Sequence, residues 1–370
     1  MSVARPRWAG PADNAALIAL NRACPMAGAL TLCFDRHPDY FALSRLQGAG
    51  AEVLVVDGPG RLDGAAAVAA LPAVYVEGAP REVFYACDLR VHPQARGGRV
   101  LKRLYDALTD HGVHARGWDL GVTAVMGGNA AMRPVLAGKG GVLHYHPLGL
   151  LHNHLLFGPL RRPRAGHLRL RRATPADVDA MVALWNRLQC ERQFAPVWTP
   201  AWLRGWLGLV ADRPGAPGVG PEAYWLAFEG DALVGFALAW DQRALKRLVL
   251  VDEPGWLPPV RAAWGLGARA LGRPPLPRPG EAVPYVVVTH LCTGDVAVAG
   301  ALLQAAWGDA RAAGALYLSV MFDARDPLAA AVRGWLRAAV PIAPFAMDPL
   351  GRWDGEALAR RLVYFDVGLV

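Results

Sequence analysis

Two rhythms of apolar and polar positions run along this chain, and each occurs twice. Alternation with period two marks strands at Glu52–Gly58 and Leu62–Val68 with a turn between them, and again at Tyr224–Gly230 and Leu233–Leu238. A further strand follows each pair, at Val83–Val91 and Tyr285–Cys292. Spacing of three and four then predicts helices over Val100–Asp110 and Val298–Ala313, and an apolar strand closes each set, at Leu120–Met126 and Ala315–Phe322.

Each set is preceded by a helix whose opening is nearly the same text. Arg7-Trp-Ala-Gly-Pro-Ala-Asp-Asn-Ala-Ala-Leu-Ile-Ala-Leu20 and Arg171-Arg-Ala-Thr-Pro-Ala-Asp-Val-Asp-Ala-Met-Val-Ala-Leu184 agree at eight of fourteen positions without a gap. In both, a Pro in the first turn and an Asp near the positive helix end favour a helix start. Matching element order at matching spacing is the mark of a duplicated unit. The expectation is an α/β chain built from two tandem mixed-sheet domains, residues 1–160 and 167–370, joined through the Arg- and Pro-rich stretch Gly158–Gly166. A length of 370 residues suits two domains of about 150–200 residues each. The second copy holds an extra segment, Val251–Pro284, dense in Pro, Gly and Trp with a short helix at Val260–Leu271; it reads as a surface elaboration or as a lid.

Composition narrows the class. A 54% hydrophobic, 19% charged chain is globular, not disordered. No apolar run approaches the ~20 residues of a membrane helix, and Met1–Trp8 lacks a secretory apolar core, so a cytoplasmic protein that does not enter the membrane is expected. Cys24, Cys33, Cys87, Cys190 and Cys292 are scattered without a CxxC pair, which argues against a disulfide framework or a zinc site. The net charge of +8 is compatible with a polyanionic partner, but no basic run is long enough to mark a nucleic-acid tail, and an Arg-rich, Lys-poor usage accounts for it more simply.

Candidate chemistry concentrates after the third strand of the first copy, in Asp88-Leu-Arg-Val-His-Pro-Gln-Ala-Arg-Gly-Gly-Arg-Val-Leu-Lys-Arg-Leu104. A strand stopped by Pro93 has to turn, and Gly97-Gly98 lets the backbone approach a ligand closely. The free N–H groups opening the next helix form an anion site, with Arg96, Arg99, Lys102 and Arg103 adding charge around it. Between His290 and Arg311 the second copy has no Lys or Arg, and Asp295 stands near the phosphate position, an electrostatically poor anion site.

The element order, the Leu89-x-Val91-x-Pro93 strand end, Arg96-Gly97 and the downstream Asn129-Ala-Ala-Met132 together resemble the GNAT (N-acetyltransferase) superfamily. The resemblance covers most of Pro6–Gly158 and, more weakly, His167–Val370. It implies an enzyme moving an acyl group from acetyl-CoA, or another acyl-CoA, to an amine of a small molecule or peptide. It further implies cofactor contacts from Leu89, Val91, Arg96, Gly97, Gly98, Arg99, Val100 and Asn129. The family's Arg-Gly-x-Gly-x-Gly/Ala is altered here, with Arg99 at the second glycine and Leu101 at the third position. The family's Tyr after the Asn is also missing between Asn129 and Gly141, which leaves Tyr85 and Tyr145 as catalytic candidates. Asp35, Arg36, His37 and Asp39 lie where the family borders its acceptor, and a solvated turn explains them equally well. His144/His146 and His152/His154 share strand faces, but alternation on a half-exposed strand accounts for them and no metal is expected. Two other readings stay open: a non-catalytic acyl-CoA-binding or regulatory module, and an aminoacyl-tRNA-dependent transferase on the same tandem fold.

Overall fold

The computed structural model describes residues 4–127, 129, 132–137, 143–161, 167–211, 214–268 and 272–369. The first half runs β1 (Arg7–Trp8), α1 (Asn14–Ala23), β2 (Thr31–Asp35), α2 (Phe41–Ser44), β3 (Glu52–Gly58), β4 (Arg61–Val76), β5 (Ala79–Val91) and α3 (Val100–Thr109). It then continues through β6 (Gly121–Met126), α4 (Arg133–Leu136), β7 (His144–Pro147) and β8 (Leu151–Pro159). The second half runs β9 (Arg169–Arg172), α5 (Val178–Gln189), α6 (Pro200–Trp206), β10 (Tyr224–Glu229), β11 (Ala232–Trp240), β12 (Arg247–Asp252) and α7 (Leu257–Ala268). It ends with β13 (Ala282–Val283), β14 (Tyr285–Thr293), α8 (Val296–Ala312), β15 (Tyr317–Asp323), β16 (Trp335–Asp348) and α9 (Gly355–Arg360).

The repeated text folds into repeated contacts. Arg7 grips Asp13 through both terminal nitrogens (2.9 and 2.8 Å), and Arg171 grips Asp177 in the same way (2.7 and 2.5 Å). Each Asp also accepts an N–H three residues back, closing the helix start. Gly64 and Gly235 correspond as well. A Cβ on Gly64 would lie 2.6 Å from Val100 Cγ1 and one on Gly235 would lie 2.7 Å from Val298 Cγ1, so each glycine lets a helix rest directly on its strand. Both third strands carry a bulge opposite their hairpin partner, placing Asp88 and His290 at φ +52° and +53°.

Among the described residues, thirteen strands join one sheet in the order β1-β3-β4-β5-β6-β16-β8-β15-β14-β11-β10-β9, with β7 also on β16. The two halves exchange strands at its centre. β8, from the first half, pairs with β15 and β16, while β16, from the second half, also pairs with β6 and β7. The extra segment begins inside β12, which pairs with β2 across the halves (Arg247↔Asp35 to Asp252↔Thr31), and returns as β13 on the other side of β12 (Leu248↔Val283, Val249↔Ala282). Among the described residues, the largest core cluster lies mostly in the second half, where Trp185 and Trp198 stack at 4.0 Å, both almost fully buried, and it takes in Leu43 from the first.

Candidate functional site

Two parallel neighbours in each half part company partway along. β5 and β6 are in register at Phe84↔Gly121 and Tyr85↔Val122, and then diverge. β14 and β15 are in register from Tyr285↔Tyr317 to Val288↔Val320 before doing the same. Such a split leaves inward-facing backbone groups free to bond a ligand.

In the first half the split leads to the loop singled out from the sequence. Leu89 and Val91 end β5 half-buried against the core beneath α3, where Val100 and Leu104 pack on Leu54, Val56 and Ala66. After Pro93–Ala95 the chain turns at Gly97, with φ +78° and nothing within 4 Å of the place a Cβ would occupy. Arg96, Gly97, Gly98 and Arg99 are all exposed. Arg99 is the N-cap of α3 but gives it no side-chain cap, and the first i→i−4 bond is Arg103 N–H to Arg99 O at 3.0 Å. The preceding N–H groups therefore face the loop, where an anion is favoured. Two of the four expected cations are committed elsewhere: Lys102 pairs with Asp106 (2.8 Å) and Arg103 donates to Ala4 O (2.8 Å). Asn129 follows β6, exposed, its N–H on Met126 O at 2.9 Å; Ala130 and Ala131 lie outside the described residues.

The two tyrosines lie in different core clusters. Tyr145 donates to Tyr105 Oη (2.8 Å) beside α3, whereas Tyr85 stands edge-on to Phe365 at 5.6 Å. Burial pushes both phenols up, so both stay protonated near neutrality.

No protein-family model matches the chain, and no curated protein matches it. Solved structures do. A GCN5-related N-acetyltransferase from Sphaerobacter thermophilus is similar at TM-score 0.58 and 16% identity, covering 93% of this chain and 95% of that one. Saccharomyces cerevisiae N-myristoyltransferase with bound myristoyl-CoA and inhibitors is similar at TM-score 0.60 and 12% identity, covering 99% and 87%. A probable N-acyltransferase from Enterococcus faecalis is similar at TM-score 0.52 and 9% identity, covering 94% and 73%. The chain has the GCN5-related N-acetyltransferase fold.

Within that fold the two halves treat their helix starts differently. Val91 and Val100 are nine residues apart, whereas their counterparts Thr293 and Val298 are five apart, so the second loop is the shorter. Asp295 is the N-cap of α8, and its Oδ1 accepts from Ala297 N (2.6 Å) and Val298 N (3.0 Å). The donors that an anion would use are already satisfied by a carboxylate of the chain itself. Asp295→Ala should therefore cost about 1 kcal/mol of stability, read as a lower urea midpoint, without creating affinity for coenzyme A.

Sequence reasoning missed a buried polar cluster between the halves. Arg36 contacts Asp88 (Nη2 to Oδ2, 2.6 Å) and lies over the Tyr40 ring at 4.9 Å. Asp35, also buried, pairs with Arg22 (3.0 Å) and Arg247 (3.2 Å), while His37 is exposed and Asp39 binds Arg45. Burial works against the Asp88 charge, but Arg36 and Arg90 outweigh it and hold its pKa below the ordinary carboxylate range. Lys246 is 3% exposed, and burial with help from Arg36 brings its pKa down to about 7, against the pull of Asp88 and Asp366. On the other side His290 joins Tyr224 Oη (2.7 Å) and Asp366 (3.3 Å), and Asp366 also accepts from Thr289 Oγ1 (2.6 Å) and Gly368 N (2.8 Å). The chain's last described segment thus runs between the two splits, with Phe365 against Tyr85 and Asp366 against His290.

Of the histidine pairs, His146 meets Asp348 at 3.3 Å, and His154, near Arg337, is pushed down to about 4 by burial first and that arginine second. No cluster of metal-ligating side chains occurs among the described residues. Among them, too, no helix is long and apolar enough to cross a membrane.

Proposed function

We propose that this chain is an acyl-CoA-dependent N-acyltransferase. In this reading residues 1–160 hold the coenzyme, and residues 167–370 keep the fold without a cofactor site. The observation that carries it is the contrast between the two helix starts: α3 opens uncapped onto Arg96, Gly97, Gly98 and Arg99, whereas α8 is closed by Asp295. The open space at Gly97 fits the close approach of a pyrophosphate, and two exposed guanidiniums flank it.

Bound there, acetyl-CoA or another acyl-CoA supplies an activated acyl group as a thioester. The roles of the chain's own residues follow from position. Arg96, Arg99 and the N–H groups at Gly97, Gly98 and Val100 hold the phosphates. Leu89 and Val91 present the end of β5 along the split, and Asn129 stands at its far side. Tyr145 and Tyr85, kept protonated by burial, are the candidate acids for the departing thiolate. The acceptor is an amine of a small molecule or peptide, entering from the side of Asp35–Asp39, and the compartment is the cytoplasm.

Calorimetric titration of the full chain with coenzyme A should give one site per chain. Two equivalent sites would show that the second half had been misjudged. Tight binding with no acyl transfer to any amine would favour a binding or regulatory module instead.

A further inference from the structure

We propose that Arg36 forms a buried carboxylate subsite beside the acyl-transfer position, filled by an acidic group on either the amine acceptor or the acyl chain. The inference takes its chemical meaning from the acyl-transfer reading, but its first test does not depend on that reading.

Arg36 is 2% exposed, so water does not serve its guanidinium. That group carries five N–H donors in one plane. The contact with Asp88 engages Nη2, and the Tyr40 ring covers one face. Nε and Nη1 are both buried without a hydrogen-bond partner, and so is Asp88 Oδ2, which meets Nη2 only as an ion pair. Arg90 Nε, buried alongside, has none either. Both arginines act on the single carboxylate of Asp88. Buried charged donors left unmade are costly, and proteins rarely keep them without a use. Nε–H and the near N–H of Nη2 form the side edge of a guanidinium that takes a carboxylate in two parallel bonds, so a carboxylate there would share Nη2 with Asp88.

The location gives the edge its purpose. Asp88 is the strained bulge residue of β5, at φ +52°, three positions beyond the point where β5 and β6 part. Leu89, Arg90 and Val91 beyond it are half-buried, and the strand runs on from the buried cluster toward the opening of the split. A carboxylate on Arg36 would sit on the side of the sheet facing Asp35–Tyr40, away from the phosphate loop at α3.

The test uses the ¹⁵N-labelled full chain and acetate as the probe, read on the arginine Nε–H resonances. Acetate should shift the Arg36 resonance saturably, and neutral acetamide of the same shape should not. Arg36→Lys assigns the signal; if that variant does not fold, Arg36→Met with Asp88→Asn, which removes both charges together, assigns it. An Arg36 signal that responds to acetate, up to about 100 mM, no more than to acetamide overturns the proposal. A second arm compares succinyl-CoA with butyryl-CoA. At least about tenfold tighter succinyl-CoA binding places the carboxylate on the acyl chain, whereas equal affinities with acetate still binding the coenzyme-loaded protein place it on the acceptor. Should coenzyme A itself fail to bind, the acyl-transfer reading falls and the acetate titration still decides the subsite.

Discussion

Asp366→Ala should remove about 3–5 kcal/mol of folding stability at pH 7, the cost of leaving several buried groups without their acceptor. The carboxylate accepts from Thr289 Oγ1, Gly368 N and His290 Nε2, and His290 is held on its other nitrogen by the fully buried Tyr224. Its removal strands a hydroxyl and an imidazole where water does not reach. It also releases the segment pinned further along by Gln242 on Gly368 O (2.6 Å) and Gln47 on Leu369 O (2.7 Å). Asp366→Asn keeps the shape and two of the acceptor roles but not the charge, so it should lose less. Burial opposes the Asp366 charge, yet His290, Thr289 and Gly368 together hold its pKa below the ordinary value. A carboxylate with a depressed folded pKa stabilises above its unfolded pKa of about 3.9, and that contribution fades as pH falls through the folded value. The gap between parent and Asp366→Asn should therefore be full at pH 7 and narrow in acid. Urea unfolding at several pH values measures it, and a loss under about 1 kcal/mol for the alanine variant would show that the cluster is not the tie described here.

What could be read in advance follows from which interactions are local. The repeat was legible because Arg7 and Asp13, like Arg171 and Asp177, make their contacts within one helix start, so the sequence carries both partners side by side. The α3 loop was legible for the same reason, since its glycines and arginines are contiguous. The exchange of β8 and β16 was not. A period-two pattern reports that a strand has two faces, and nothing in it names the strand that will lie at its edge. Nor was the length of β4 and β5 apparent, because the Glu77-Gly78 turn joining them carries no Asn-Gly or Asp-Gly signal; both residues nevertheless adopt positive φ. The central cluster brings together Arg36, Asp88, Lys246, His290 and Asp366 from five distant segments, and no spacing connects them. One signal did exist. Asp88 and His290 each interrupt an apolar strand at the same distance before Val91 and Thr293, and a charged or polar residue recurring inside a buried strand of both copies marks a place where partners must come from elsewhere.

Arg96→Ala and Arg99→Ala should each weaken coenzyme A binding roughly ten- to a hundredfold, since a charge-assisted contact to phosphate contributes about 1.5–3 kcal/mol. Combined, the two losses should approach their sum if each arginine holds a separate oxygen, and fall short of it if they share one. The remaining cations of the loop are occupied. Lys102 is paired with Asp106 and Arg103 is bound to Ala4 O, so neither stands ready to take over. Folding should be nearly indifferent to both changes. Arg96 and Arg99 are exposed; Arg96 lies beside Cys24, and its Nε reaches Val91 O at 3.4 Å, long for a hydrogen bond. Melting temperatures of the free variants should therefore stay close to the parent, which separates a binding defect from a folding one. Pantetheine, which lacks the pyrophosphate, should lose little affinity in either variant, and this difference ties the effect to the phosphates. If both variants bind the full coenzyme as tightly as the parent, the α3 loop is not the phosphate site, and Arg99 is only a side chain that the fold tolerates where a glycine would also serve.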